Sequence, residues 1–180
     1  RAVFVGLKKG CFSFLTSTIT TPITTEEALS DLPDNSVADG EAYPLPAQSA
    51  YQQMMRRGVE TLHNHQATIH TEQTVRIISM VPDGGNYKDL PKELQQTRKV
   101  HIAWTRLNSK KPSITIDTGH NHHFHYLYNR VPTARESARL QSFPDSFVFT
   151  HGKTSQLKQI GNAVPPLMAM EIAKQLKIQI

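Results

Sequence analysis

The chain has 180 residues, room for one ordinary domain or a small domain with part of another. Hydrophobic residues at 38% and charged residues at 19% suit a globular protein, and no apolar run approaches the roughly 20 residues of a membrane span, which predicts a cytoplasmic chain without a membrane role. A formal charge of +5 is the sign expected of a partner for phosphates, although many proteins of that balance never meet nucleic acid. With Cys11 as the only cysteine, an intrachain disulfide is excluded, and its apolar neighbours predict a small buried residue.

The first residue is Arg1 rather than Met, so the expectation is a segment or a processed chain. Residues 2–7, AVFVGL, form an apolar run closed by Lys8, Lys9 and Gly10, which predicts a buried strand. A Thr-, Ser- and Pro-rich connector follows over 16–24. Thr24 and Glu27 have capping-box spacing, predicting a short helix through Ala28 and Leu29 that ends by Pro33. Pro33 to Pro46 reads as a surface loop, and Gln48 to Arg57 as a helix stopped at Gly58, with Tyr51 and Met55 on one face.

Between Thr71 and Val81, Val75, Ile77 and Ile78 are expected to face inward. The next string holds Gly84, Gly85, Asn86 and Tyr87, a turn whose paired glycines allow close approach to a partner or simply join two elements. Trp104, Arg106, Lys110 and Lys111 form a basic stretch with an aromatic, suited to phosphates or else a solvated turn, before a short strand at Ile114–Ile116. Histidines at 120, 122, 123 and 125 lack the complementary thiolate or carboxylate cluster of a zinc site, so no metal is assigned.

The densest signal runs from Arg130 to Pro166. Thr133 stands three residues before Glu136, predicting a capped helix with an apolar seam of Ala134, Ala138 and Leu140; Arg135 and Arg139 lie one turn apart, and Glu136 is within pairing reach of Arg139. Phe143-Pro144-Asp145 is expected to stop it. A second helix is predicted from an N-cap at Thr154 to Ile160, with Gly161 left-handed beyond its end. Pro165-Pro166 then opens a last helix carrying Leu167, Met168, Ile172 and Leu176 at helical spacing.

Two strings in that stretch, RVPTARESARLQSFPD and QIGNAVPP, resemble the ninth and tenth conserved motifs of the DNA cytosine-5 methyltransferases. Arg1 to Gly6 is similar to the end of the eighth motif, without that motif's upstream glutamine and first arginine, and TPITTEEALSDLP resembles the handover to the target-recognition domain. The resemblance implies an α/β or α+β fragment: a small target-recognition domain plus the C-terminal helices and one strand of a doubly wound catalytic domain. It divides the chain into 1–29, the end of the catalytic sheet and a linker; 30–128, target recognition; and 129–180, the return to the catalytic domain.

By the same resemblance the reaction is methyl transfer from S-adenosylmethionine to C5 of a flipped cytosine in duplex DNA, following thiolate addition at C6. Cys11 is not that thiolate: it lacks the preceding proline and lies in the wrong place. The glycine-rich donor loop is missing too, so the implied partner is an upstream catalytic segment or a complementary methyltransferase subunit. Gly161, Asn162 and Ala163 would border the cofactor; Gly84, Gly85, Asn86, Tyr87, Arg106, Lys110 and Lys111 would face DNA, with Arg1 as a further base or phosphate contact. Arg130, Thr133, Arg135, Glu136 and Arg139 would be a structural clamp. A non-catalytic DNA-binding module, a separate recognition subunit of a split methyltransferase and a structural remnant remain the alternatives.

Overall fold

The computed structural model describes residues 3–14, 21–95, 104–118 and 123–179. Helices dominate them: α1 (Thr25–Leu29), α2 (Ala50–Met55), α3 (Glu72–Ser79), α4 (Lys92–Gln95), α5 (Ala134–Leu140), α6 (Lys153–Asn162) and α7 (Pro166–Gln179). A single 3-10 turn, Tyr87–Asp89, lies between α3 and α4. Strand β1 (Glu41–Ala42) pairs antiparallel with β2 (Thr61–Leu62), and β3 (Thr105–Arg106) pairs parallel with β4 (His123–Phe124). Ladders of two residues contribute few main-chain bonds, so packing of helices and side-chain bonds to loop backbone must hold the fold.

Local chemistry explains where the early helices begin. Thr24 caps α1 and Ser49 caps α2, each through a reciprocal capping box, with Glu27 and Gln52 as the returning side chains. Past α2, Gly58 takes φ 73°, a left-handed turn that a glycine makes without a Cβ penalty.

The core has three parts that meet around α5. Ala28, Leu29, Leu32, Tyr51, Met55, Leu62, Leu107 and Tyr126 join α1 and α2 to the two sheets. Ala134, Ala138, Phe143, Phe149, Leu157 and Ile160 join α5 to α6. Ile77, Ile78, Val81, Leu90, Phe124 and Val131 seat α3 against β4. Leu140 packs against both of the first two parts. Each fully buried leucine or isoleucine contributes roughly 1.5–3 kcal/mol.

Several expectations are corrected. Residues 3–7 form no strand, and Phe4 is 91% exposed: an apolar run becomes a buried strand only when strands flank it, and none does among the described residues. Ile114–Ile116 is likewise irregular, with Ile116 buried and Ile114 exposed. Cys11 is exposed, not buried. Val75 points outward while Ile77 and Ile78 carry the buried face of α3. On α7, Met168 is exposed, as are Met170 and Ile178, so its apolar seam is only partly covered.

Candidate functional site

α5 is the structural centre. Its cap is complete, with Thr133 Oγ1 accepting from the Glu136 amide and the Glu136 carboxylate accepting from the Thr133 amide at 2.7 Å. Four charged side chains that would ordinarily face water, Arg130, Arg135, Glu136 and Arg139, are instead enclosed here, and each is matched to partners. Arg130 donates from both Nη atoms to the two Glu136 oxygens at 2.8 and 2.9 Å, and from Nε to Asp34. Arg135 donates to the carbonyls of His63 and Phe147, stapling the exit of β2 and the 144–147 loop to α5. Arg139 is gripped from two sides, by Asp145 at 2.6 and 2.7 Å and by Asp31 at 2.9 and 3.2 Å.

The expected Glu136–Arg139 pairing is therefore replaced. Glu136 turns to Arg130, and Arg139 takes carboxylates from outside its own helix, because a buried guanidinium needs donors satisfied around its whole fork. Burial works against the charge of Arg139, and the Asp145 and Asp31 carboxylates outweigh it, holding the guanidinium above its usual range. Burial would raise the Glu136 carboxyl, but His125 and Arg130 outweigh it and hold it at about 2. Beside it sits His125, fully enclosed, with Nδ1 accepting from the Leu127 and Tyr128 amides and Nε2 at 3.7 Å from Glu136 Oε1.

The turn segments expected to meet DNA come together in space. Gly85 O accepts from the Arg106 amide, and Asn86 bridges to Thr105. Asp83 accepts from the Ser109 amide and hydroxyl at 2.8 and 2.6 Å, joining the glycine turn to the lysine loop. Gly84 has φ 69°, and a Cβ there would meet the Asn108 side chain. Lys110 and Lys111 are exposed, the former paired with Glu26.

Arg106 does not join them. It is 5% exposed, and its guanidinium donates to the carbonyls of Val81, Ile78, His125 and Tyr128 and to Asn129 Oδ1. It pins the end of α3 to the turn after β4, a role that position in a basic stretch does not reveal.

At the expected cofactor edge, α6 runs two residues further than the spacing predicted, through Asn162, and its N-cap is Gly152 rather than Thr154. Gly161 therefore lies inside the helix. Its reason is contact, not a left-handed turn: a Cβ would strike the main chain of Asp117 and Thr118. Asn162 is exposed and Ala163 is half-exposed at the helix end. Arg1, His120 and His122 lie outside the described residues.

Sequence reasoning missed Asp31, Asn64 and Asp83. Asn64 receives the Phe149 amide at 2.8 Å and donates to the Phe149 carbonyl at 2.9 Å, and its φ of 62° is of the kind asparagine tolerates best. Asp31 lies 108 residues from Arg139, so no local spacing exposes that pair. Among the described residues no group of three or more His, Cys, Asp or Glu side chains could hold a metal ion, and no helix is long and apolar enough to cross a membrane.

This chain belongs to the C-5 cytosine-specific DNA methylase family, whose model matches residues 1–178. It is 33% identical to the Type II methyltransferase M.DdeI of Desulfomicrobium norvegicum over 98% of this chain and 49% of that protein. It is 43% identical to M1.HphI of Haemophilus parahaemolyticus over 62% of this chain and 30% of the relative. M.AquIB of Picosynechococcus sp. is 33% identical over 66% of this chain, and there the match covers 90% of the relative. A crystal structure of a candidate DNA modification methyltransferase encoded within a prophage (E. coli) has the same fold, with a TM-score of 0.69 at 24% identity over 92% of this chain and 49% of that one. The chain thus spans about half the length of M.DdeI and less of M1.HphI.

Proposed function

We propose that this chain is the C-terminal portion of a DNA cytosine-5 methyltransferase, cytoplasmic and bound to the nucleoid, that recognises duplex DNA and completes part of an S-adenosylmethionine site. Residues 30–128 serve target recognition, and 129–180 return the chain to the catalytic body. The observation that carries this reading is the place of α5. Through Arg139 it holds α1, on which the lysine loop rests, and through Ala134 and Ala138 it holds α6, which ends at Asn162. Two surfaces of different chemistry, one cationic and one a helix end with an amide, are thereby fixed to one buried junction.

The residues at the helix end fit a zwitterionic ligand in part. Asn162 offers a donor and an acceptor from an exposed position, and the C-terminal pole of α6 favours a positively charged group. Gly161 does not fit as a contact, since it is buried against Asp117. When bound, S-adenosylmethionine supplies the methyl group; in this chain Asn162 would orient its methionine end. The nucleophile comes from an upstream segment or a second subunit, because Cys11, in a Gly-Cys-Phe context, lacks the preceding proline and lies in the wrong place for that role.

The relative matched over nine-tenths of its own length favours the second form of this reading, a separate recognition subunit of a split enzyme. A radiolabelled methyl-donor assay tests both. The 180-residue chain alone should transfer nothing to duplex DNA, and addition of the upstream coding region or the complementary subunit should restore transfer. Cys11-dependent incorporation by the chain alone would overturn the reading. In the restored enzyme, Asn162→Ala should weaken cofactor binding about tenfold, within the range of a hydrogen bond to a charged group, with DNA affinity nearly constant. Unchanged cofactor affinity with a lower melting temperature would assign Asn162 to helix capping instead.

A further inference from the structure

We infer that Thr25 is a positioning residue for DNA binding, the seat that fixes the backbone of the lysine loop so that Lys111 is presented to a phosphate. This rests on the reading of that loop as a DNA-facing surface.

The start of a helix leaves four amides without partners inside the helix. In α1 the Thr24 hydroxyl takes the Glu27 amide, and the Glu27 carboxylate takes the Thr24 amide at 2.8 Å. The first two amides are satisfied by the lysine loop: Thr25 N donates to Lys111 O at 2.9 Å and Glu26 N to Ser109 O at 3.2 Å. The Thr25 hydroxyl donates to the same Lys111 carbonyl at 3.2 Å, and the Thr25 residue is 0% exposed. Three bonds therefore converge on two carbonyls that flank Lys110, and the Glu26 carboxylate holds the Lys110 ammonium itself.

The seat is rigid at its other end. Ala28 and Leu29 are buried, and Ala28 O accepts from Arg139 Nη1 at 3.1 Å. From the opposite side Asp83 takes the Ser109 amide and hydroxyl. The loop backbone is thus held on both flanks, while Lys110 is engaged by Glu26 and the Lys111 side chain extends from an exposed position. Two charges on one loop consequently play unequal parts: Lys111 meets phosphate, and Lys110 serves the seat.

Valine has the shape of threonine but sets a methyl group against the Lys111 carbonyl, whereas serine retains the hydroxyl. Fluorescence titration of a short mixed-sequence duplex into the 180-residue chain, at several salt concentrations, separates the cases. Thr25→Val should weaken binding roughly threefold to tenfold, the worth of one net hydrogen bond. Its salt dependence should flatten by about 0.9 in log–log slope, one phosphate contact, and Thr25→Ser should restore both. Lys111→Ala should give the same loss, and adding Thr25→Val to it should cost nothing more. Wild-type binding by Thr25→Val beside a weakened Lys111→Ala overturns this inference alone, as does failure of Thr25→Ser to rescue. Loss of the fold in Thr25→Val also overturns it, by assigning the side chain to the core. If Lys111→Ala binds like wild type, the reading of the lysine loop itself falls.

Discussion

The side chains that decide this molecule are charged ones placed where water is not. Arg139 illustrates the balance: taking a guanidinium out of water costs several kcal/mol, and only the two carboxylates of Asp31 and Asp145 with the Ala28 carbonyl offset it. Arg139→Leu should therefore destabilise the chain by about 3–5 kcal/mol, because Asp31 and Asp145 are left enclosed against a depleted set of cations. Urea denaturation measures that, and a loss below about 1 kcal/mol would show the ion pairs to be dispensable. His125 imposes a different constraint. Burial lowers its pKa from 6.5 to about 4, against the pull of Glu136 and with Arg130 adding to the lowering, while Asp34 and His65 act more weakly. Between those values the unfolded chain binds a proton that the folded chain refuses, so stability is complete above pH 6.5 and is lost as pH falls towards 4, by about 3 kcal/mol. His65, also lowered by burial, adds to the same slope, and Glu136, whose folded value lies below its ordinary one, contributes only below about pH 4.5. His125→Asn retains an acceptor for the Leu127 and Tyr128 amides and removes the titration. Melting curves from pH 7 to 5 should show a shallower fall for that variant, and equal slopes would place the acid sensitivity elsewhere.

Helices whose boundaries are written in neighbouring residues were legible, and those set by distant contacts were not. The capping boxes at Thr24, Ser49 and Thr133 act over three residues, and two of them, at Thr24 and Thr133, mark helix starts that spacing alone predicted. α6 shows the opposite case. Thr154 has the chemistry of an N-cap, yet the helix is capped two residues earlier by Gly152, and Gly161 stays helical with the Asp117 main chain pressed against it. Nothing local reports Asp117. The same holds for the apolar run at 3–7, whose pattern promises a strand but whose pairing is a tertiary matter. At the site, the identities of Arg130, Arg135, Glu136 and Arg139 could be read in order, while the partners that reach them from elsewhere, Asp31, Asp34, His63 and Asn64, could not, since all four are far away in sequence. A pair of substitutions separates the two kinds of helix start. Thr133→Ala removes a cap bond and a buried contact with His65, and should cost about 1–2 kcal/mol; Thr154→Ala, inside the first turn of α6, should cost less than about 0.5 kcal/mol. Comparable losses in thermal melts of the two variants would return Thr154 to a capping role.

For the whole molecule the question is which of its cations serve the fold and which serve a partner. Formal charge cannot distinguish them: Arg106, Lys110 and Lys111 lie within six residues of sequence and contribute alike to the net +5. Their surroundings do. Arg106 has its fork enclosed by four carbonyls and an amide oxygen, whereas Lys111 stands in water on a loop anchored to α1 and to Asp83, with Lys110 beside it paired to Glu26. A cation already bonded inside the protein releases no counterion when DNA binds, so only exposed charges enter the salt dependence of the association. The chain should accordingly bind duplex DNA measurably at low salt and lose affinity steeply as salt rises. Arg106→Leu should lower the melting temperature by leaving the Val81, Ile78 and His125 carbonyls without their donors, yet leave the slope of log K against log salt unchanged below the melt. Filter binding of a labelled duplex over a salt series, run beside melts of the same preparations, reads both quantities. A slope reduced by about 0.9 with an unaltered melt would make Arg106 a phosphate contact after all, which would require its guanidinium to leave the carbonyls that enclose it.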